Sequence, residues 1–246
     1  MAGYGVFAQV YDKLTLNVPY DEIAEYYDLK IKKFRDGDGN FLADAGCGTG
    51  NLTARLAGLG YDVIGAETSV DMLSEAMNKP HDGVQYICQD MTELDLYGEA
   101  DIIISTLDSV NHLGSPADIE KFFAVAAANL RSGGLLLFDF NTIYKHKFVL
   151  ADNTFVYDVD GVYCVWQNEF CREDNGVDIS LNIFVETEDC LYDRMEEGFR
   201  EIALAQENVT ELLEKSGFDV LEVSEYLTDK APDEHSEKLM FCARKK

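Results

Sequence analysis

The sequence predicts a doubly wound α/β protein: a mostly parallel sheet with helices on both faces and an inserted antiparallel β cap. Three observations carry this. From Phe41 to Asn141 short apolar, β-branched runs alternate with segments of helical period. Between Thr154 and Ile202 strict two-residue alternation replaces that period, with Ile179, Leu181, Ile183 and Val185 set against Ser180, Asn182 and Glu186. After Ile202 the chain returns to one helix and two strands.

The elements follow in order. Phe7, Val10, Tyr11 and Leu14 share one helical face, and Ile23, Tyr27, Ile31 and Phe34 share another after Pro19. Both predict helices laid over the sheet. Phe41–Ala45 is a strand, and Asn51–Leu59 a helix with Leu52, Leu56 and Leu59 on one side. Tyr61–Ala66 is the second strand, followed by a helix that Ser69 caps, with Val70, Leu73 and Met77 aligned. Val84–Cys88 and Asp101–Ser105 are further strands. Ser115 as N-cap, Pro116 in the first turn and Asp118 three residues on start a helix carrying Ile119, Phe122, Phe123, Ala126, Ala127 and Leu130. Gly133 and Gly134 stop it, and Leu135–Phe140 is a continuous apolar strand of the kind buried on both faces. Asn175-Gly176 marks a hairpin turn in the alternating region. Asn208 caps a helix with Val209, Leu212 and Leu213, ended by Gly217, before strands at Phe218–Val223 and Leu239–Ala243. The expected division is a helical cap over residues 1–40, an α/β domain over 41–143 and 203–246, and the inserted β cap over 144–202.

Composition narrows the function. The 246 residues are 47% hydrophobic with only 4 prolines, enough apolar material for a sizeable core. The 46 acidic and 20 basic side chains give a net charge of -26, which repels nucleic-acid phosphates and anionic lipid. No nucleic acid or membrane partner is expected, and the chain is expected to be a monomer or homodimer. Cysteines at 47, 88, 164, 171, 190 and 242 form no C-x-x-C pair, so no metal site is expected. Cys88 and Cys242 lie in apolar runs and read as core residues of a reducing compartment. Met1–Val10 lacks a signal-peptide pattern, and runs such as Leu135–Phe138 are too short to span a bilayer. The expected location is cytoplasmic.

The first strand runs into Asp44-Ala45-Gly46-Cys47-Gly48-Thr49-Gly50. Glycines at a strand-to-helix turn let the backbone approach a ligand closely. The spacing is G-x-G-x-G, not the G-x-G-x-x-G of dinucleotide sites, and no Lys-Ser or Lys-Thr follows as in a P-loop. Asp44 at the strand end would repel a pyrophosphate and favour an ammonium. Glu67 ends the second strand about 20 residues on, the separation of a ribose-binding carboxylate. Gln89-Asp90-Met91 ends the third strand, where Asp90 would accept a hydrogen bond from an adenine amine while Met91 or Cys88 packs on the ring. Ligands of parallel sheets sit outside the carboxyl ends of the strands, so these three acids should converge.

With these residues in view, Leu42–Thr53 resembles the first motif of the class I S-adenosylmethionine-dependent methyltransferases. Gly65–Leu73 resembles that family's G-x-D-x-S-x-x-M-L block, with Glu67 in place of the commoner Asp. Gln89–Met91 is similar to the third block, and Leu130–Gly134 with Asp139 to the following turn and strand. The resemblance covers Phe7 to Asn141, and the last helix and two strands fit the family's seven-stranded sheet. Phe7-Ala8-x-x-Tyr11-Asp12, Leu107-Asp108-Ser109-x-Asn111-His112-Leu113 and the insertion resemble a bacterial small-molecule branch that includes amino-sugar N-methyltransferases.

The resemblance implies S-adenosylmethionine as cofactor, bound by Tyr11, Asp44, Ala45, Gly46, Cys47, Gly48, Glu67, Thr68, Met72, Gln89, Asp90, Met91 and Leu107. It implies catalytic roles for Tyr11, Asp108 and His112 and transfer of a methyl group to a small molecule, with an amine as the expected acceptor. Oxygen or macromolecular acceptors, and a non-catalytic cofactor-binding regulator, are the alternatives. Tyr11 either meets the cofactor or is core. His112 is a base or a loop residue, and Asp108 orients an ammonium or caps the short segment after it. Trp166 and Tyr163 read as core residues with a possible place in the acceptor pocket, and Tyr144 is a further candidate there. A macromolecular Asn/Asp-Pro-Pro-aromatic motif is replaced here by Ser105-Thr106-Leu107-Asp108.

Overall fold

The computed structural model describes residues 5–80, 83–189 and 191–246, so Cys190 and the start of Met1–Val10 lie outside the described residues. Seven strands form one sheet: β1 (Phe41–Ala45), β2 (Asp62–Glu67), β3 (Val84–Cys88), β4 (Ala100–Ser105), β5 (Leu130–Asn141), β10 (Phe218–Glu225) and β11 (Lys238–Lys245). Their order is β10-β11-β5-β4-β1-β2-β3. Only β11 runs against its neighbours β5 and β10. The chain lays β2 and β3 on one side of β1 and then crosses to β4 on the other. This reversal opens a crevice at the carboxyl ends of β1 and β4.

Both faces are covered, which is why the central strands are almost wholly apolar. On one face α2 (Tyr20–Phe34) and α3 (Asn51–Gly58) bury Tyr27, Ile31, Leu52 and Leu56 against Leu42, Ile104 and Leu137. On the other, α5 (Pro116–Asn129) and α6 (Gln206–Lys215) pack Phe122, Phe123 and Leu213 against Phe138 and Phe241. Those last two rings, paired in register on β5 and β11, stack at 5.0 Å. Ser115 caps α5 by accepting from Asp118 N at 3.2 Å, and Ser69 caps α4 (Val70–Met77) through Met72 N at 3.2 Å.

A second sheet of β6 (Thr154–Val159), β7 (Val162–Cys171), β8 (Gly176–Glu186) and β9 (Tyr192–Glu201) is wholly antiparallel. Asn175 takes the left-handed turn position at φ +57° and Gly176 opens β8 opposite Cys171. No helix among the described residues is long and apolar enough to cross a membrane.

Four local expectations change. The amphipathic helix α1 (Gly5–Leu14) does not lie on the large sheet: Val10, with Phe7 and Leu14 beside it, packs into the core of the second sheet with Leu150, Val162 and Ile179. Leu130 belongs to β5 instead of ending α5. Asn129 closes the helix there, donating to Leu94 O and Val125 O and accepting from Leu96 N at 2.8 Å. Gly133, at φ +76°, lies inside the strand. Asn208 is not a cap, because α6 starts at Gln206 behind Ala205 with no side-chain cap. Cys88 is exposed, since its strand is the sheet edge; Cys242 is buried as expected.

Candidate active site

The loop after β1 is fastened to β2 where Gly46 N and Cys47 N both donate to Ala66 O, at 2.8 and 3.1 Å. Gly46 sits at φ +83°, and a Cβ there would come within 2.9 Å of Ser109 Oγ. Gly48, at φ +54°, has nothing within 4 Å of the place its Cβ would take. The loop therefore presents bare backbone to a cavity of about 640 Å³ at the switch between β1 and β4.

Gly46, Cys47, Gly48, Glu67, Thr68, Met72, Gln89, Asp90, Met91, Leu107, Asp108, His112 and Tyr11 all line this one cavity. Glu67 Oε1 accepts from Thr68 N at 2.8 Å and Ser69 N at 2.9 Å, while among the described residues Oε2 accepts only from Gly48 N at 3.1 Å. One oxygen is thus saturated by the turn, and the other keeps acceptor capacity for a ligand hydroxyl. Asp90 Oδ1 accepts from Thr92 N at 2.7 Å and so both caps the next turn and faces the cavity. Gln89 is tied to Asp95, with Asp95 N donating to its Oε1 at 2.9 Å. Open backbone at Gly48, a carboxylate with spare capacity and flanking methionines fit a nucleoside with an amino-acid tail.

Asp44 and Ala45 are placed differently, behind the cavity wall. Asp44 is 1% exposed and accepts from Thr53 Oγ1 at 2.7 Å, while its Oδ1 has no hydrogen-bond partner among the described residues. Burial, assisted by the charge of Glu67 and opposed by Thr53, raises its pKa to about 7. The native state therefore binds more protons than the unfolded chain between about pH 4 and 7, and stability falls as pH rises through that window. We expect Asp44→Asn to gain stability relative to the native chain from pH 5 to pH 7.5. Urea titrations at the two pH values check this, and an unchanged difference would refute it.

The α1 helix covers the loop. Asp12 Oδ1 accepts from Thr49 Oγ1 at 2.6 Å and Asn51 Nδ2 at 2.8 Å, and Oδ2 pairs with Lys79 at 2.5 Å. This carries Tyr11 into the cavity, edge-on to Phe7. Burial first, then Tyr20 and nearby carboxylates, push the Tyr11 hydroxyl far above its usual range, so it stays protonated and can donate.

Beyond β4, Leu107 and Asp108 take consecutive left-handed conformations at φ +53° and +57°. Such backbone persists only when its surroundings enforce it. Asp139 does so, accepting from Leu107 N and Asp108 N at 2.7 Å each. Lys238 bridges Asp139 and Asp108 at 3.2 Å to each. Asp108 does not cap the turn Ser109–His112; its carboxylate accepts from Asn141 Nδ2 at 3.0 Å. Burial opposes its ionisation, but Lys238, Lys145 and His112 outweigh that and hold its pKa below the usual range. Asn141 Nδ2 also donates to Glu201 Oε2 at 2.9 Å. His112 Nε2 stands 3.9 Å from Glu201 Oε1, and the fully buried His146 lies 3.3 Å from Oε2. Tyr157, Trp166 and Phe199 of the second sheet close this half of the cavity.

Sequence reasoning missed Lys145, Lys238 and Glu201, which line the cavity from three separate elements with no local motif. Trp166 reaches the cavity, whereas Tyr163 is half-exposed on β7 and not core. Tyr144 packs on Phe148 and His235 beside a separate cavity of about 180 Å³.

Fold and site together define a doubly wound α/β protein with a cleft at its switch point, lined by a glycine turn and the carboxylates of Glu67 and Asp90. Comparison with known proteins narrows the class: residues 42–134 match the methyltransferase domain family. A Geobacillus sp. (strain WCH70) protein, named as a methyltransferase by inference, is 32% identical over 98% of this chain and 99% of its own. A Clostridium acetobutylicum S-adenosylmethionine-dependent methyltransferase superposes with a TM-score of 0.87 at 30% identity, covering 98% of both chains. The sugar N-methyltransferase KedS8 of Streptoalloteichus sp shares the fold at TM-score 0.78 and 18% identity, covering 99% of this chain and 92% of that one. The chain belongs to the class I S-adenosylmethionine-dependent methyltransferases, with S-adenosylmethionine as cofactor.

Proposed function

We propose that this methyltransferase acts on a small molecule and that the atom methylated is an amine nitrogen. The observation that carries this is Glu201, a 3% exposed carboxylate lining the acceptor half of the cavity. Asp108 and Asp139 share the ammonium of Lys238, whereas among the described residues Glu201 makes no ion pair with a lysine or arginine and has an amide and two imidazoles within 4 Å. Aromatic faces at Tyr157, Trp166 and Phe199 add a surface that attracts cations. A buried carboxylate under an aromatic wall suits an ammonium better than a neutral hydroxyl or a phosphate backbone. The inserted sheet serves as the cap over this acceptor, in keeping with the sugar nitrogen on which KedS8 acts.

When bound, S-adenosylmethionine supplies a methyl group on a positively charged sulfur, and transfer then needs mainly an oriented lone pair. Glu67 and Asp90 hold the nucleoside end, the Gly46–Gly48 backbone borders its tail, and Tyr11 covers it as a hydrogen-bond donor. Asp139 fixes the Leu107–Asp108 turn that separates the two halves. Glu201, oriented by Asn141 and bordered by His112, holds the acceptor nitrogen. S-adenosylhomocysteine release is to be measured with primary and secondary amines, amino sugars among them, and with their hydroxyl counterparts. Amines should be turned over, and Glu201→Gln should raise their KM about tenfold or more, the weight of a lost charged hydrogen bond. Turnover of the hydroxyl compounds alone would overturn the nitrogen assignment.

A further inference from the structure

One cavity-lining cation has no task in the account above. Lys145 is the first residue of a π-helical turn, Lys145–Leu150, at the point where the chain leaves β5 for the second sheet. Such turns are rare and recur at functional sites. This one presents Lys145 to the cavity and sends the next side chain, His146, into the core. Lys145 Nζ donates to Asn141 Oδ1 at 2.9 Å, and among the described residues it makes no ion pair. Lys238, on the same wall, is bound by two carboxylates. The two lysines are therefore unequal: one is committed as an ammonium, and the other, among the described residues, hydrogen-bonds an amide oxygen and no carboxylate.

The groups around Lys145 are Lys238 from β11, Asp108 from the turn after β4, Asp139 from β5 and Glu201 from β9. Burial first and then the charge of Lys238 lower its pKa, against the three acids. Its charged form is thus less favoured than that of a lysine in open solvent. The three acids stand ready to stabilise its charged form.

We propose that Lys145 is the proton acceptor of the reaction, taking a proton from the acceptor's ammonium before methyl transfer. This rests on the nitrogen reading above. An N–H bond of the ammonium breaks, and its electron pair stays on the acceptor nitrogen as the lone pair that would form the new N–C bond to the methyl carbon. The C–S bond breaks as it forms, its pair returning to sulfur in S-adenosylhomocysteine and the positive charge passing to the methylated nitrogen. The proton forms a new N–H bond on Nζ, and the charged Lys145 then faces Asp108 and Glu201 until it returns the proton to water between turnovers.

Lys145→Arg keeps the positive charge but cannot accept a proton at working pH. It should lower kcat about 100-fold, the lower range for a removed general base, with S-adenosylmethionine affinity within threefold of native. The loss should shrink for weakly basic amines, which enter already deprotonated. A merely structural lysine would slow all amines alike, so an equal loss across the series, or a native kcat, overturns the proposal. If only hydroxyl compounds are turned over, the nitrogen reading fails by itself, and a native kcat on those compounds then overturns the Lys145 role as well. Independently of any acceptor, Lys145 of the native protein saturated with S-adenosylhomocysteine should be acylated by a lysine-selective reagent at lower pH than Lys238, read by mass spectrometry. The reverse order overturns the proposal.

Discussion

Asp139→Ala is expected to cost about 3–5 kcal/mol of stability, the largest loss of any single substitution in the site. The carboxylate is fully buried and satisfies four groups at once: the N–H groups of Leu107 and Asp108, the Tyr27 hydroxyl at 3.3 Å and the Lys238 ammonium. Removing it strands two backbone donors in consecutive left-handed residues, a conformation that its two hydrogen bonds help enforce. It also leaves Lys238 buried with one carboxylate instead of two. Asp139→Asn keeps one acceptor but turns an NH₂ toward an N–H, so an intermediate loss is expected. The midpoint of urea denaturation at constant slope measures both. A loss below about 1 kcal/mol for the alanine variant would show that the turn is held elsewhere.

Glu67→Ala is expected to weaken S-adenosylmethionine binding about 100-fold, close to 2.8 kcal/mol, by calorimetric titration. Two effects add. The ribose loses hydrogen bonds to a charged acceptor, and the donors at Gly48, Thr68 and Ser69 lose the carboxylate that gathers the turn. Glu67→Asp should stay within about tenfold of native, since a shorter carboxylate still reaches from the strand end. Unchanged affinity in the alanine variant would refute the ribose assignment.

That most of the residues proposed for the cofactor line one cavity was legible because they come in short contiguous segments. Four short segments, around Gly46, Glu67, Gln89 and Leu107, each follow a strand, and parallel strands deliver all their carboxyl ends to one rim. Even there, strand-end position did not say which side chains line the cavity. Asp44 lies two residues before Gly46, the first lining residue of the loop, and is buried behind it, so burial raises its pKa. The acceptor half was largely illegible. Lys145, Lys238 and Glu201 are separated by up to 93 positions and enter from a π-helical turn and the ends of two strands.

Periodicity alone determined the layered α/β core and the inserted antiparallel sheet, because burial on one or two faces writes itself into neighbouring residues; the glycine turn after the first strand was legible from its residues. Tertiary structure alone decided that α1 packs on the inserted sheet, that Cys88 lies on an open edge, and that Asp139 and Lys238 buttress Asp108. Those outcomes depend on which surfaces meet across long stretches of chain. Charge pairing acts through space over a few ångströms and leaves no period in the sequence.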